Sequence, residues 1–152
     1  MRVSVIGGST VTDEVYDRAR EVGRLLGDRG HETLCGGLTG VMEAACRGAE
    51  ETGGHTIGIL PGERRSAANE YVGTAITTGL GNARNVLVVI NGDAVVAIDG
   101  GPGTLSELGH ALDFGRPVAG LGTHEPPGFD GIEHVETPAA AVEYVEGAHE
   151  RN

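Results

Sequence analysis

The residues from Gly100 to Glu107, GGPGTLSE, combine a glycine-rich turn with a carboxylate and follow an apolar run that ends at Ile98. Glycine lets an anion approach the free N–H groups at a helix N-terminus, where the helix dipole is positive. The stretch therefore predicts a phosphate cradle formed by Gly100, Gly101, Gly103 and Thr104. Tight turns between strands and helices also use glycine, so a purely structural role is the alternative.

Glu107 itself has two interpretations. Thr104 and Glu107 match a capping box, in which Thr104 is the N-cap and Glu107 bonds back to its N–H group. Such a cap would contribute about 1 kcal/mol. The second interpretation is a functional carboxylate, which beside an anion site needs a cation nearby. Arg84 is the candidate cation.

Two further glycine turns follow predicted strands, Gly7-Gly8-Ser9 and Gly36-Gly37-Leu38-Thr39-Gly40. In open parallel sheets, ligands bind beyond the carboxyl ends of the strands. The turns that begin at Gly36 and Gly100 each open a predicted helix, so we expect them to converge on one pocket. Neither turn has the GxGxxG spacing of a dinucleotide fingerprint, and NAD is therefore not indicated.

Alternating strand and helix patterns predict the fold that must position these turns. We expect an α/β protein with a Rossmann-like, doubly wound parallel sheet of six to seven strands, helices on both faces and a single domain over residues 1–152. The predicted strands are 2–6, 31–35, 55–60, 72–77, 93–98, 117–121 and 134–136. The predicted helices are 13–28, 40–52, 82–90, a helix from the Gly100 turn to 114, and 139–148.

The segment around Asn91-Gly92 is ambiguous because β-branched runs flank it on both sides. By pattern alone it is a hairpin with a two-residue turn. A helix over 82–90, with Asn82 as N-cap, agrees better with the alternation of strands and helices. Propensity favours the hairpin and topology favours the helix, and we predict the helix. Its nearly continuous apolar surface needs cover on more than one side, which favours a homodimer or higher homo-oligomer.

Composition excludes several classes of protein. All eleven basic residues are arginine, against 22 acidic ones, so neither a Schiff-base lysine nor a P-loop lysine exists. The net charge of −11 argues against a nucleic-acid partner. An acidic composition without lysine is typical of high-salt adaptation, although a GC-rich genome also removes lysine.

Without a transmembrane run of about 18 apolar residues or a signal peptide, we expect no membrane partner and a cytoplasmic location. Cys35 and Cys46 are interpreted as small buried residues, and we expect no metal and no cofactor.

Three motifs stand out: CGGLTGVMEAAC from Cys35 to Cys46, GNARN around Arg84, and DGGPGTLSE ending at Glu107. Together they resemble the LOG ("Lonely guy") family, whose members were once mislabelled lysine decarboxylases. The resemblance covers about residues 3–121 and is greatest to small prokaryotic LOG-like proteins related to the Rossmann-like core of DprA. LOG enzymes release the free base and ribose 5-phosphate from nucleoside 5′-monophosphates. The resemblance implies an AMP-like ligand and a catalytic pair, Arg84 and Glu107. It also implies nucleotide or phosphate contacts at Gly7, Ser9, Gly36, Gly37, Gly40, Met42, Gly100, Gly101, Gly103 and Thr104.

On this resemblance, Glu107 would stabilise the positive charge of an oxocarbenium-like transition state, and Arg84 would hold Glu107 ionised. The chain departs from the family at two positions. Asp99 stands where the family has proline, and Asn85 stands where it has a lysine that binds phosphate. Arg64 or Arg65 could replace the lost charge. The alternative function is a non-catalytic nucleotide-binding or sensing protein, and DNA binding like that of DprA is a third candidate.

Overall fold

The sheet at the centre of the molecule has seven parallel strands. The computed structural model describes all of residues 1–152. Its strands are β1 (Arg2–Gly7), β2 (Glu32–Cys35), β3 (Thr56–Leu60), β4 (Thr74–Thr77), β5 (Ala94–Ile98), β6 (Val118–Leu121) and β7 (Ile132–His134). Its helices are α1 (Asp13–Asp28), α2 (Val41–Glu51), α3 (Asn85–Ile90), α4 (Pro102–Asp113) and α5 (Pro138–Glu150), with 3₁₀ turns at Arg65–Ala67 and Gly81–Arg84.

The order of the strands places the glycine turns side by side. The sheet reads β4-β3-β2-β1-β5-β6-β7, so the chain builds outward from β1 on one side and then returns to build the other side from β5. This reversal beside β1 is the position at which doubly wound sheets bind ligands. The carboxyl ends of β1, β2 and β5 are neighbours there. The predicted α/β fold is confirmed.

Two apolar layers hold the helices to the two faces of the sheet. One layer packs α1, α2 and α5 against side chains such as Val5 and Val96. The other packs α3 and α4 against the opposite face, with Ile6 and Val95 among its members. Because consecutive strand residues point to opposite faces, the central strands β1, β5 and β6 contribute to both layers. As the scarcity of aromatic residues implies, the fully buried side chains are mainly Val, Ile, Leu and Ala.

The ambiguous segment is the helix α3, as predicted, but α3 starts later and the last strand lies earlier in the chain than predicted. Asn82 is not the N-cap, because residues Gly81–Arg84 tighten into a 3₁₀ turn and α3 begins after Arg84 without a side-chain cap. The last strand lies at Ile132–His134 rather than two residues later. Ile132 there pairs with Val118 of β6 and packs against the α3 and α4 layer, so burial fixes the earlier register.

Cys35 and Cys46 are free and fully buried, with their Sγ atoms 3.5 Å apart, in agreement with their interpretation as small core residues. The contact with Cys35, together with burial, raises the pKa of the Cys46 thiol. Three or more His, Cys, Asp or Glu side chains nowhere come together in a group able to hold a metal ion. Among the helices, none has both the length and the apolar character to cross a bilayer.

Two glycines let α1 and α2 approach backbone to backbone. A Cβ atom added at Gly48 of α2 would lie 1.9 Å from the carbonyl oxygen of Arg20 in α1. A Cβ atom added at Gly23 of α1 would lie 2.0 Å from the carbonyl oxygen of Ala45 in α2. Backbone atoms cannot swing aside as a flexible side chain does. Any side chain at either position must therefore push the helices apart.

We expect Gly48→Ala to lower the free energy of unfolding by about 2 kcal/mol or more, because overpacking here outweighs the better helix propensity of alanine. The matched control is Gly109→Ala on α4, where nothing lies within 4 Å of the added methyl group. That change should raise the free energy of unfolding by about 0.5–1 kcal/mol. Urea denaturation of both variants measures the difference, and equal effects would contradict the backbone contact.

Candidate functional site

The three glycine turns and the segment before α3 enclose a cavity of about 270 Å³ at the carboxyl edge of the sheet. Its walls are formed by the ends of β1 and β2, the Gly81–Arg84 turn and the first two turns of α4. The lining residues are Val5, Ile6, Gly7, Gly8, Ser9, Gly36, Leu38, Met42, Asn82, Arg84, Asn85, Gly101, Pro102, Gly103, Thr104 and Glu107.

All the site residues predicted from the sequence line this cavity except Gly37, Gly40 and Gly100. These three lie in the same turns but have positive φ angles, of 78°, 68° and 125°. A Cβ atom added at any of the three would meet protein atoms rather than the cavity. At Gly40 it would meet the Gly8 carbonyl, and at Gly100 the Thr104 side chain. These three glycines give the turns their shape, whereas the other predicted residues line the cavity.

The first turn of α4 has the features that the predicted phosphate cradle requires. Gly101 is the N-cap and Pro102 is the first helical residue. The N–H groups of Gly101, Gly103 and Thr104 donate to no acceptor in the protein, and all three residues line the cavity. Free N–H groups at the positive end of a helix are favourable partners for an anion.

The capping-box interpretation of Glu107 is wrong. Proline fixes φ in the helical range and is favoured at the first helical position, so α4 begins at Pro102, before Thr104. Thr104 is therefore the third helical residue rather than the N-cap, and α4 has no side-chain cap. Glu107 consequently lies a turn deeper in the helix, and its carboxylate points to the cavity instead of the helix end.

Glu107 is a buried carboxyl group with 9% of its surface exposed and no hydrogen-bond partner in the protein. Burial raises its pKa to about 7, and the charge of Arg84 opposes this only in part. Arg84 therefore favours the ionised form of Glu107, as the sequence analysis expects, but desolvation outweighs this attraction. Near neutral pH this carboxyl group can hold or release a proton.

Arg84 is buried in the cavity wall that faces Glu107, and hydrogen bonds to the protein hold its guanidinium. Its Nε donates to the carbonyl of Ile59 at 2.9 Å, and its Nη1 donates to Oδ1 of Asn85. A Cβ atom at position 36 would lie 3.0 Å from Nη2, so Gly36 makes room for the guanidinium. Burial lowers the pKa of Arg84, partly offset by Glu107. It is the only cationic side chain lining the cavity; Arg64 and Arg65 lie outside it.

Of the two departures from the LOG motifs, Asn85 lines the cavity and Asp99 lies beside a lining residue. Asp99 has φ = 54°, a left-handed conformation that proline cannot adopt and that aspartate tolerates. Its carbonyl accepts a hydrogen bond from Thr123, and its carboxylate lies beside Gly8, which places a negative charge at the rim. Asn85 lines the wall itself, with its side chain directed at Arg84 rather than at free space.

Sequence reasoning missed several lining residues. Asn82 and Asn85 flank Arg84 in the GNARN motif, so proximity to a candidate catalytic residue was a usable signal. Pro102 was likewise visible inside the glycine-rich motif. Val5 and Ile6 could not be found in this way, because they look like ordinary apolar strand residues.

Known proteins share this architecture. The model of the SLOG cluster4 family matches residues 1–149, almost the whole chain. The chain belongs to the SLOG cluster4 family. The resemblance to LOG proteins that the motifs suggest is therefore confirmed at the level of the family.

Among relatives of this SLOG cluster4 protein, an uncharacterised protein of Archaeoglobus fulgidus is 40% identical over 95% of this chain and 93% of its own. The cytokinin riboside 5′-monophosphate phosphoribohydrolase of Mycobacterium tuberculosis is 32% identical over 75% of this chain. That match spans 60% of the length of the Mycobacterium enzyme. The relatives thus include hydrolases of nucleoside monophosphates, at a distance.

Solved structures add a second kind of relative. The molybdenum cofactor binding protein of Rippkaea orientalis superposes with a TM-score of 0.91, at 34% identity over 97% of this chain and 96% of its own. DprA of Streptococcus pneumoniae has a TM-score of 0.73 at 17% identity, over 93% of this chain and 60% of its own, which shows the shared fold alone. The chain is therefore similar to a cofactor-binding protein as well as to hydrolases.

Proposed function

We propose that this SLOG cluster4 protein binds a nucleoside 5′-monophosphate in its cavity and hydrolyses the N-glycosidic bond. The observation that carries the proposal is the arrangement of charge. Arg84 and Glu107 come from different elements and face one cavity, next to three free N–H groups at the start of α4. The 5′-phosphate would accept hydrogen bonds from those N–H groups. The ribose would then lie between the guanidinium and the carboxylate.

In the proposed reaction, the bond from C1′ to the base nitrogen breaks as a water oxygen adds to C1′. The products are the free base, which takes up a proton, and ribose 5-phosphate. Positive charge develops on the ribose ring, and ionised Glu107 would stabilise it and orient the water. Because burial raises the pKa of Glu107 to about 7, the active form becomes populated only as the pH approaches neutrality.

The test is chromatographic detection of free base from AMP and the other common monophosphates. It should be run at low and at molar salt, since the acidic composition suits high salt. We expect base release that rises as the pH increases through about 7, following ionisation of Glu107. A wild-type protein that binds AMP yet releases no base in any of these conditions would exclude hydrolysis.

A second candidate function is non-catalytic carriage of a phosphorylated small ligand. Its support is the full-length similarity to a molybdenum cofactor binding protein, together with Asn85 and Asp99 at the positions that depart from LOG enzymes. The N–H groups of α4 suit a phosphate in either case, and no thiol lines the cavity. Retention of molybdenum through gel filtration, after exposure to the cofactor, combined with no base release, would favour carriage.

We also infer a homo-oligomer that forms through α3 and its surroundings. Leu80 is 53% exposed, Ile90 45% and Leu105 44%, so large apolar side chains before, on and beside α3 face solvent in one chain. Light scattering should give at least a dimer, and a monomeric mass at both low and high salt would contradict this. The cytoplasmic location, the high-salt origin and the absence of a nucleic-acid partner stay predictions.

A further inference from the structure

Asn85 occupies a position between the two walls of the cavity. It is the first residue of α3 and only 7% exposed. Its Oδ1 accepts a hydrogen bond from Nη1 of Arg84, and its Nδ2 donates to Oγ of Ser106 at 3.4 Å. Ser106 in turn donates from Oγ to the carbonyl of Gly103 at 2.7 Å. A continuous chain of hydrogen bonds therefore runs from the guanidinium of Arg84 to the first turn of α4.

The donors and acceptors in this chain fix both the amide orientation and the residue type. A guanidinium can only donate, so the group that meets Arg84 must accept. The Ser106 hydroxyl proton is used on the Gly103 carbonyl, so the group that meets Ser106 must donate. A side-chain amide does both at once. A lysine could not accept from Arg84, and an aspartate could not donate to Ser106.

We propose that Asn85 is a positioning residue, which fixes the guanidinium of Arg84 in the cavity wall and ties it to the phosphate cradle of α4. On this proposal, Asn85 is not an empty place left by a lost phosphate-binding cation. The chain lacks the positive charge of a lysine at this position and has instead an amide that orients Arg84. Any effect of Asn85 on ligand affinity or rate rests on the proposed function of the cavity. The orientation of the Arg84 guanidinium in the free protein is independent of that function.

The first experiment therefore needs no ligand. In the free protein, NMR spectra of the arginine guanidinium groups should show slowly rotating Nη groups for Arg84, assigned by their loss in Arg84→Lys. Asn85→Leu should abolish this slow rotation. The matched control is Asn91→Ala at the other end of α3, where the amide bonds only to the Leu87 carbonyl, and it should leave the Arg84 signals unchanged.

A second variant keeps the proposal testable if Asn85→Leu fails to fold. Ser106 is exposed, so Ser106→Ala is well tolerated, and it removes the acceptor of the Asn85 amide together with the hydrogen bond to the Gly103 carbonyl. We expect the Nδ2 protons of Asn85 to exchange faster with solvent in Ser106→Ala. Arg84 signals unaltered by Asn85→Leu, or Asn85 amide protons unaltered by Ser106→Ala, would overturn the proposal.

The second experiment separates an oriented arginine from a lost cation by measuring AMP affinity. If Asn85 merely marks a missing charge, Asn85→Lys should tighten binding by restoring it. If Asn85 positions Arg84, the ammonium repels the guanidinium, and binding should weaken about tenfold, as it should in Asn85→Leu. Tighter binding by Asn85→Lys would overturn the proposal. A wild type that binds no AMP would overturn the proposed function instead, and the NMR result would still decide the role of Asn85.

Discussion

Replacing Glu107 by glutamine should slow base release by about a hundredfold or more, and should make the protein more stable at pH 8. Glutamine keeps the shape of the side chain but cannot carry the negative charge that an oxocarbenium-like state requires. A hundredfold loss corresponds to about 3 kcal/mol of transition-state stabilisation, the size expected for one well-placed electrostatic group. An unchanged rate would show that Glu107 is not catalytic, even if hydrolysis is real.

The stability effect follows from the raised pKa of Glu107. Between the ordinary value of 4.5 and the folded value of about 7, the folded protein binds a proton that the unfolded chain releases. The wild type therefore loses stability as the pH rises through this range, and stays less stable above it. A shift of this size corresponds to at most about 3 kcal/mol. Glu107→Gln escapes this loss, so its advantage should be present at pH 8 and absent at pH 4.

Urea denaturation at the two pH values measures this advantage, and Glu146→Gln provides a control of opposite sign. Hydrogen bonds with His31 and Arg29 lower the pKa of Glu146 in spite of its partial burial. Its ionised form therefore stabilises the fold, and glutamine there should reduce stability at pH 8 rather than increase it. A Glu107→Gln protein less stable than the wild type at pH 8 would contradict the burial of an unpaired carboxyl group.

Replacing Arg84 by alanine should abolish measurable base release and weaken AMP binding about tenfold or more. The change removes the one cationic side chain in the cavity and leaves the Ile59 carbonyl and Oδ1 of Asn85 without their donor. Each buried acceptor left unsatisfied costs about 1–3 kcal/mol, so stability should fall as well. The pKa of Glu107 should rise further, because Arg84 lowers it.

Arg84→Lys distinguishes charge from geometry. A lysine keeps the positive charge but lacks the planar fork that meets Ile59 and Asn85 together. We expect it to preserve part of the AMP affinity while losing most of the rate, measured by calorimetry and by kcat/KM. Arg64→Ala is the control, since Arg64 lies outside the cavity, and it should change neither quantity. A full rate in Arg84→Lys would show that the hydrogen bonds of Arg84 are unimportant for the reaction.

Much of this site could be predicted from the sequence because the βα turns obey general rules. The alternation of elements even predicted α3 correctly against local β propensity. The capping box failed because Thr104 and Glu107 match the pattern locally, while the helix starts at Pro102, three residues earlier than a Thr104 N-cap would start it. The pKa of Glu107 could not be predicted, since it depends on burial created by distant segments. The contacts of Asn85 required knowing that the Ser106 hydroxyl was already committed to Gly103.

The close backbone approach of α1 and α2 has a consequence for motion at the cavity. The wall formed by residues 36–42 leads into α2, which the glycine contacts lock to α1, and Val41 also donates to the Gly8 carbonyl. The facing wall depends on α3, which has only six residues and follows a 3₁₀ turn. A short element generally opens at a lower free energy than a locked pair of long helices. Entry and exit of a ligand should therefore proceed by displacement of the α3 wall, while the α2 wall acts as a rigid template for ligand shape.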